Sequence, residues 1–152
     1  MLRVETNMDV VVSKLATKMS EIDIDKMTRL QASSLLAMIR KRVHVEGRAS
    51  DGAPIGNYSK HYRDRIRPKY GRKEGSKVVL SLTRAMENGM VLTPITNGTG
   101  IAYLTKELLQ RAKWQEKRAC YGSRPIWSPT TEERDMVMKI GQKYIDEHFN
   151  QL

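Results

Sequence analysis

The last thirty residues of the chain carry the pattern that most constrains its fold. Ser128-Pro129 interrupts the preceding chain, Thr130 is a typical N-cap residue, and Glu133 follows three positions later, which is the capping-box arrangement of a helix N-terminus. From there on, the apolar residues recur at helical spacing: Met136, Val137, Ile140, Tyr144, Ile145 and Phe149. The pattern predicts that 124–152 closes the chain with one helix. We expect the last three of these apolar side chains to be buried, against the sheet or against a neighbouring subunit.

Two further apolar stripes at helical spacing lie in residues 1–46 and predict a pair of helices. The first stripe consists of Met8, Val11, Val12, Leu15, Met19 and Ile22. The second consists of Met27, Leu30, Leu35, Met38, Ile39 and Val43. Asp23 or Asp25 is a suitable N-cap for the second helix, and Gly47 is a typical C-terminal stop. Because methionine-rich stripes of this kind are usually core, we expect both stripes to be buried.

The middle of the chain predicts a long loop followed by a small sheet. Residues 47–77 are punctuated by Gly, Pro, Asn and Ser, which predicts one long loop, here called the basic loop, with a helical turn near 58–66. Residues 78–104 contain three short runs with strand character, and the NGTG sequence at 97–100 has the chemistry of a hairpin turn. The three runs are 78–82, 90–93 and 100–103.

Two smaller features complete the pattern. Thr83 is predicted to cap a short helix that Gly89 ends, and the basic segment 105–123 permits a helix over 105–118. Together the elements predict one α+β domain over residues 1–152, with two N-terminal helices, an antiparallel sheet of about three strands, a C-terminal helix and one long basic loop. A chain of this length buries an adequate core without disulfide bonds.

The composition argues against several functional classes. No apolar run approaches the roughly 18 residues that span a bilayer, so we expect no membrane partner and no secretory signal. The single cysteine, Cys120, excludes a disulfide framework, and the three histidines are scattered along the chain without metal-ligand spacing. No common nucleotide-binding, zinc-protease or hydrolase motif is present. Structural roles suit Asp23, Asp25, His61 and Cys120 better than catalytic ones, so we expect no enzymatic activity and no cofactor.

The net charge of +10 is concentrated in two segments. Residues 60–77 hold eight Lys and Arg against two acids, and residues 106–124 hold six against two, so the remainder of the chain is balanced. Tyrosines are interleaved with the first set of cations and Trp114 and Tyr121 with the second. Such a combination is typical of a surface that contacts a polyanion or an acidic partner, and a loop charged only for solubility is an equally good interpretation.

We take ten of these cations as candidate binding residues. In the basic loop they are Arg63, Arg65, Arg67, Lys69, Arg72 and Lys73; in the second segment they are Arg111, Lys113, Lys117 and Arg118. Because a buried cation without a partner is costly, we expect those of the basic loop to stay out of their own domain's core. They are then expected to lie at a subunit interface or to face an axial channel.

Three short motifs, taken in order, resemble those of the phage virion-morphogenesis and tail-completion family, whose members are small proteins of the head-to-tail junction. The matching residues are Asp51, Gly52 and Pro54 in the first motif, Leu82, Thr83 and Met86 in the second, and Arg124, Pro125 and Ile126 in the third. The resemblance spans about residues 35–149. The sequence departs from the family pattern in two places. The segment 104–121 is longer and more basic than in the family. After the Arg124-Pro125 pair this sequence has Ile126-Trp127, where a phenylalanine is common in the family.

The resemblance implies a structural protein of a tailed bacteriophage. Its members form rings at the head–tail connector, neck or tail end, so the implied partners are other copies of the chain, in rings of about six or about twelve, and neighbouring portal, connector or tail proteins. Packaged DNA in the channel is an implied non-specific partner, and assembly would take place in the host cytoplasm before incorporation into the virion. The alternative is a stand-alone protein that binds nucleic acid non-specifically; an enzyme or enzyme inhibitor is a third, weaker alternative.

Overall fold

The computed structural model describes residues 8–72, 75–80, 83–96, 98–117 and 124–150. Its main elements, in chain order, are α1 (Met8–Ser20), α2 (Ile24–Arg40), α3 (Ala85–Asn88), β1 (Met90–Ile95), β2 (Gly98–Tyr103), α4 (Lys106–Lys117) and α5 (Thr131–Phe149). A π-helical turn, Lys41–Glu46, continues α2, and two short helical turns, Tyr62–Ile66 and Arg67–Tyr70, lie in the basic loop. The predicted α+β class is confirmed, with two strands in place of about three.

The helix boundaries follow the local signals in the sequence. Asp23 is the N-cap of α2, and its Oδ1 accepts a hydrogen bond from the Lys26 amide at 2.8 Å. Thr130 and Glu133 form the predicted capping box at the start of α5. Gly47 ends the π-helical turn with a φ of +62°, and a Cβ there would lie 2.2 Å from the carbonyl oxygen of Val78. Glycine is therefore required at that position both by the backbone conformation and by the close approach of the neighbouring segment.

The sheet is a single antiparallel hairpin. Met90 pairs with Tyr103 and Ile95 with Gly98, so both strands run two residues further toward the turn than predicted. The predicted turn at 97–100 was therefore placed too late, because residues 98–100 already belong to β2. The helix before the hairpin ends at Gly89 as predicted.

The predicted strand at 78–82 is wrong where the structure describes it. Residues 78–80 form no strand, and residues 81–82 lie outside the described residues. Leu80 has a φ of +43°, which interrupts an extended chain, and the Val78 amide donates to the carbonyl of Gly56 at 2.9 Å. The β-branched run instead supplies a core residue, since Val78 is completely buried.

The core lies between α2, the hairpin, the first part of the basic loop and the segments around residues 78 and 126. Helix α2 packs against both α5 and the β1–β2 hairpin. Eight buried apolar side chains form one cluster: Leu36, Ile39, Val43, Ala49, Ile55, Val78, Met90 and Ile126. At Gly141 of α5 a Cβ would meet the end of the Gln31 side chain, whose Nε2 donates to the Val137 carbonyl at 3.0 Å, so a larger residue would displace this link between α2 and α5.

The apolar stripes are covered to very different degrees. In the second stripe Ile39 and Val43 are buried, which confirms part of that expectation, whereas Leu30 is exposed. The expected burial of the first stripe is wrong for most of its described side chains: Val11, Val12, Leu15 and Met19 are 51–62% exposed, and Ile22 is half-buried. The predicted burial of Tyr144, Ile145 and Phe149 is reached only in part, because all three are half-buried in the single chain. None of the described helices is long and apolar enough to cross a membrane.

Candidate polyanion-binding surfaces

The cationic part of the basic loop is closed at its base by backbone hydrogen bonds. The Tyr58 amide donates to the Ser76 carbonyl at 2.6 Å, and Asn57 forms an isolated antiparallel bridge with Lys77. Residues 59–75 therefore leave the domain and return to it at almost the same point, as in compact surface loops that are packed by their own side chains. Between the two ends the chain forms the helical turns at 62–70, and the predicted turn near 58–66 is confirmed.

Arg67 holds this loop to the domain from within. Its guanidinium carbon lies 4.6 Å from the centre of the Tyr58 ring, and its Nη1 donates to the Gly75 carbonyl at 2.9 Å. The residue is only 8% exposed. The expectation that the loop's cations stay out of their own domain's packing is therefore wrong for Arg67, because the aromatic face and the carbonyl supply the partners that a buried cation needs.

The other cations of the loop differ in how far they reach solvent. Arg65 and Lys69 are exposed, while Arg63 and Arg72 are half-buried; Lys73 lies outside the described residues. Arg63 Nε donates to Asp64 Oδ1 at 2.6 Å, and this hydrogen bond lowers the pKa of the Asp64 carboxyl. The exposed positive charge of the loop is therefore centred on its two helical turns, where Tyr70 is also 54% exposed.

Helix α4 presents the second basic surface, and the predicted helix over 105–118 is confirmed by its bounds. Ala112 is 2% exposed and faces the domain. On the opposite side, exposed residues recur three or four positions apart and so share one face: Lys106, Gln110, Lys113, Trp114 and Lys117. Trp114 is 60% exposed, a large aromatic ring placed between cations. Arg111 is exposed beside this face, and Arg118 lies outside the described residues.

An acid of α4 is turned toward the protein, which leaves its outer face more positive. Glu116 Oε1 accepts hydrogen bonds from the amides of Ile126 and Trp127, at 2.9 and 3.1 Å. The Trp127 indole in turn donates to the Ala112 carbonyl at 3.1 Å. These contacts fasten α4 to the core by its inner face. The sequence count of charges misses this arrangement, because both partners of Glu116 are backbone groups.

Among the described elements, the helical turns of the basic loop do not pack extensively against α4. The turns at 62–66 and 67–70 pack mainly on each other, whereas α4 packs on α3 and β2. Within the described part of the chain, the exposed positive charge therefore lies on two elements, the helical turns of the basic loop and α4.

Two of the three motifs behind the family resemblance meet in the structure. Asp51 Oδ1 accepts from the Ala53 amide at 3.0 Å, and Oδ2 lies 3.4 Å from Arg124 Nη1. The Ser50 amide donates to the Pro125 carbonyl at 3.0 Å. Gly52 has a φ of +78° and shapes the turn. The first and third motifs thus form one structural unit, which Pro54 closes by its bridge to Arg48.

The described residues of the second motif, Thr83 and Met86, lie just before and within α3. Thr83 Oγ1 accepts from the Ala85 amide at 3.4 Å, but the N-cap position of α3 is Arg84, with a φ of +58°. The predicted cap is therefore displaced by one residue. Met86 is half-buried, and Leu82 lies outside the described residues.

Sequence reasoning missed a buried ion pair beside the third motif. Arg42 Nε donates to Glu133 Oε1 at 2.8 Å, and its two other nitrogens donate to the carbonyls of Ile126 and Ser128 at 2.9 and 3.0 Å. The same Glu133 completes the capping box of α5 by accepting from the Thr130 amide. The signal that could have found the pair is the position of Arg42 three residues after Ile39, on the buried face of the helix.

A buried histidine, His44, lies next to Trp127, which follows the third motif. His44 is 5% exposed, and its ring centre lies 5.7 Å from that of Trp127. Burial lowers the pKa of His44 below its ordinary value, against the opposite effect of the Glu87 carboxylate. Across the described residues, no group of three or more His, Cys, Asp or Glu could hold a metal ion.

Comparison with known protein families, with curated proteins and with solved structures finds no match to this chain.

Proposed function

We propose that the chain is a structural subunit of a tailed bacteriophage, forming a ring in the head–tail connector, neck or tail-completion assembly around the DNA channel. The observation that carries the proposal is the division of the exposed positive charge between two elements, the helical turns of the basic loop and α4, which do not pack extensively against each other. A protein that only binds nucleic acid is expected to concentrate its Lys and Arg on one face. A ring subunit has use for two such surfaces, since it meets both DNA in the channel and the acidic surface of an adjacent ring.

The order of the three motifs supports the same proposal. The contact between Asp51 and Arg124 gives a physical reason for the first and third motifs to occur together, since each side chain has the other as an ionic partner. The motif residues serve the scaffold, and five of the candidate cations are exposed outside it: Arg65, Lys69, Arg111, Lys113 and Lys117. This separation between scaffold residues and contact residues suits an adaptor protein, in which the fold stays the same while the contact residues differ from one partner to another.

The alternative, a stand-alone protein that binds nucleic acid non-specifically, is favoured by one observation. Trp114 is 60% exposed and stands between lysines, an arrangement on which unpaired bases stack in proteins that bind single strands. The two proposals differ in assembly. A connector subunit forms closed rings of about six or about twelve copies, whereas a stand-alone binder remains small and binds nucleic acid with a steep salt dependence.

Electron microscopy and mass measurement of the purified chain test the ring directly. DNA binding is then measured over a range of salt with three variants that each remove two positive charges. The loop variant is Arg65→Ala with Lys69→Ala, and the α4 variant is Lys106→Ala with Lys113→Ala. The control is Lys26→Ala with Lys139→Ala, which removes two exposed lysines from α2 and α5.

We expect one of the two test variants to reduce the slope of log binding constant against log salt by about 2, because each phosphate contact contributes about 1. The other is expected to leave DNA binding unchanged and to weaken stacking of rings on an acidic partner. Rings that form and bind DNA equally in all three variants would show that the charge serves solubility alone. A chain that stays monomeric and binds DNA would favour the stand-alone alternative.

A further inference from the structure

Helix α1 carries an apolar face that its own domain does not cover. Val11, Val12, Leu15 and Met19 lie within about a third of the helix circumference, and they are 51–62% exposed. Among the described elements, α1 packs extensively against no other helix or strand. A stripe of this kind on a soluble chain usually marks an interaction surface.

The same chain has an open apolar groove. It has a volume of about 480 Å³ and lies between α2, the hairpin and α5. Its apolar lining includes Ala32, Leu35, Ile95, Ile101, Trp127 and Val137. The volume falls within the roughly 300–1,000 Å³ of sites that enclose a small ligand, so the groove has room for several apolar side chains of a docked helix.

We propose that α1 of a second copy of the chain docks in this groove. A helix of 13 residues is about 20 Å long and offers a row of branched and unbranched apolar side chains. One contact of this kind covers both uncovered surfaces at once, whereas pairing of α1 with α1 would leave the groove open. The inference deepens the proposed function, on which it rests for the ring, by naming the contact that joins neighbouring subunits.

The position of α1 argues for a second copy over the chain's own groove, because its apolar stripe is exposed and α1 packs extensively against no other described element. Glu21 Oε2 lies 3.6 Å from Lys18 Nζ and 3.9 Å from His148 Nε2. Asp23 caps α2 by accepting from the Lys26 amide. These contacts hold the end of α1 at the start of α2 and beside α5, and they are compatible with docking of the α1 stripe in a neighbouring copy.

The contact is heterologous, because the surface that α1 presents differs from the surface that receives it. Each copy gives one helix and receives one, and repetition of such a contact about an axis closes a ring. Docking of α1 in the groove of the next copy would therefore be sufficient to build the proposed ring, and no second type of interface is needed.

The test uses variants at exposed positions, which leave the fold of the single chain intact. Leu15→Asp places a charge on the α1 stripe, and Ile95→Asp places one at the rim of the groove, where the side chain is 57% exposed. Val45→Asp is the control, since Val45 is apolar and 68% exposed on the π-helical turn. Oligomeric state is measured by light scattering after gel filtration, and folding by circular dichroism.

We expect the wild type and Val45→Asp to form the oligomer, and Leu15→Asp and Ile95→Asp to be folded monomers. Mixing the two monomers should yield a dimer that grows no further, because each mixed pair retains one intact helix and one intact groove. Association of Ile95→Asp by itself would indicate pairing of α1 with α1 and overturn the inference.

Two other outcomes separate this inference from the proposed function. Rings that persist in Leu15→Asp would overturn docking by α1 and leave the ring proposal standing. A wild type that is monomeric at all concentrations would overturn both.

Discussion

The buried pair of Arg42 and Glu133 offers the sharpest test of what holds the two basic surfaces in place. The two side chains are 7% and 9% exposed. Arg42 also donates to the carbonyls of Ile126 and Ser128, so it connects the end of α2 to the segment that anchors α4. Removing Glu133 would leave a buried guanidinium with neutral acceptors alone.

The expected magnitude follows from that geometry. Removal of one partner of a buried ion pair costs about 3–5 kcal/mol, and loss of the capping box adds about 1 kcal/mol, so Glu133→Ala should lose about 4–6 kcal/mol of unfolding free energy. A domain has only about 5–15 kcal/mol in total, and this variant should be close to unfolding. Glu133→Gln keeps an acceptor and the capping residue type, and it should lose about 1–3 kcal/mol.

A double-mutant cycle separates the ion pair from the rest. In Arg42→Met the carboxylate becomes the unpaired buried charge, so adding Glu133→Gln should restore part of the lost stability. The free energies are measured by urea unfolding at one protein concentration, followed by circular dichroism. The reasoning would be refuted if the effects of Arg42→Met and Glu133→Gln on the unfolding free energy were additive to within about 0.5 kcal/mol. It would also be refuted if Glu133→Ala cost less than about 1 kcal/mol.

Three further outcomes follow from the described contacts. Gly47→Ala should lose at least about 2 kcal/mol in urea unfolding, because φ is +62° and the new Cβ would lie 2.2 Å from the Val78 carbonyl oxygen. Burial lowers the pKa of His44 below 6.5, so the unfolded chain takes up the proton first and the unfolding free energy falls as the pH drops below about 6.5. His44→Phe should therefore lose less stability than the wild type between about pH 7 and pH 5. An equal loss in both proteins would contradict His44 as the source of the pH dependence. Arg67→Lys should speed tryptic cleavage within 59–75, because lysine cannot both stack on the tyrosine ring and donate in the guanidinium plane, whereas the exposed Arg65→Lys should leave the cleavage rate unchanged.

Local signals in the sequence were sufficient for most of the helices. The capping box of Thr130 and Glu133 and the cap at Asp23 are formed by residues three positions apart, and Gly47 ends its helix through its own backbone conformation. Such features depend on near neighbours alone, so they can be inferred before the fold is known. The predicted strand over 78–82 failed for the complementary reason: a short apolar run does not distinguish a strand from a core segment, and Val78 is core.

Partners far apart in sequence could not be predicted in the same way. Helical periodicity identifies the apolar face of α1 but carries no information about what covers it. The count of cations in the basic loop did not distinguish Arg67, whose partner Tyr58 is local, from the exposed Arg65. Arg42 and Glu133 are 91 positions apart, and their contact exists only once α2 and α5 have packed. The sequence therefore indicates which segments carry the cations, while the residues that anchor those segments could not be predicted from it.

The two places where the sequence departs from the motifs that it resembles are in contact in this structure. Residues 124–128 receive Arg42 on their carbonyls and Glu116 on their amides, so this segment joins α2, α4 and α5. Trp127 belongs to the Ile126-Trp127 pair, and Ala112 belongs to the longer basic segment 104–121. The Trp127 indole donates a hydrogen bond to the Ala112 carbonyl of α4 and so joins the two. The indole thus holds α4 by its inner face while its lysines and Trp114 face outward. Under the proposed function, the longer basic segment is the part of the chain that selects the binding partner. Trp127 is the scaffold residue that holds this segment in position. Trp127→Phe should accordingly alter the presentation of α4, with loss of the lysine-dependent salt slope in DNA or partner binding, and leave the contact between Asp51 and Arg124 intact.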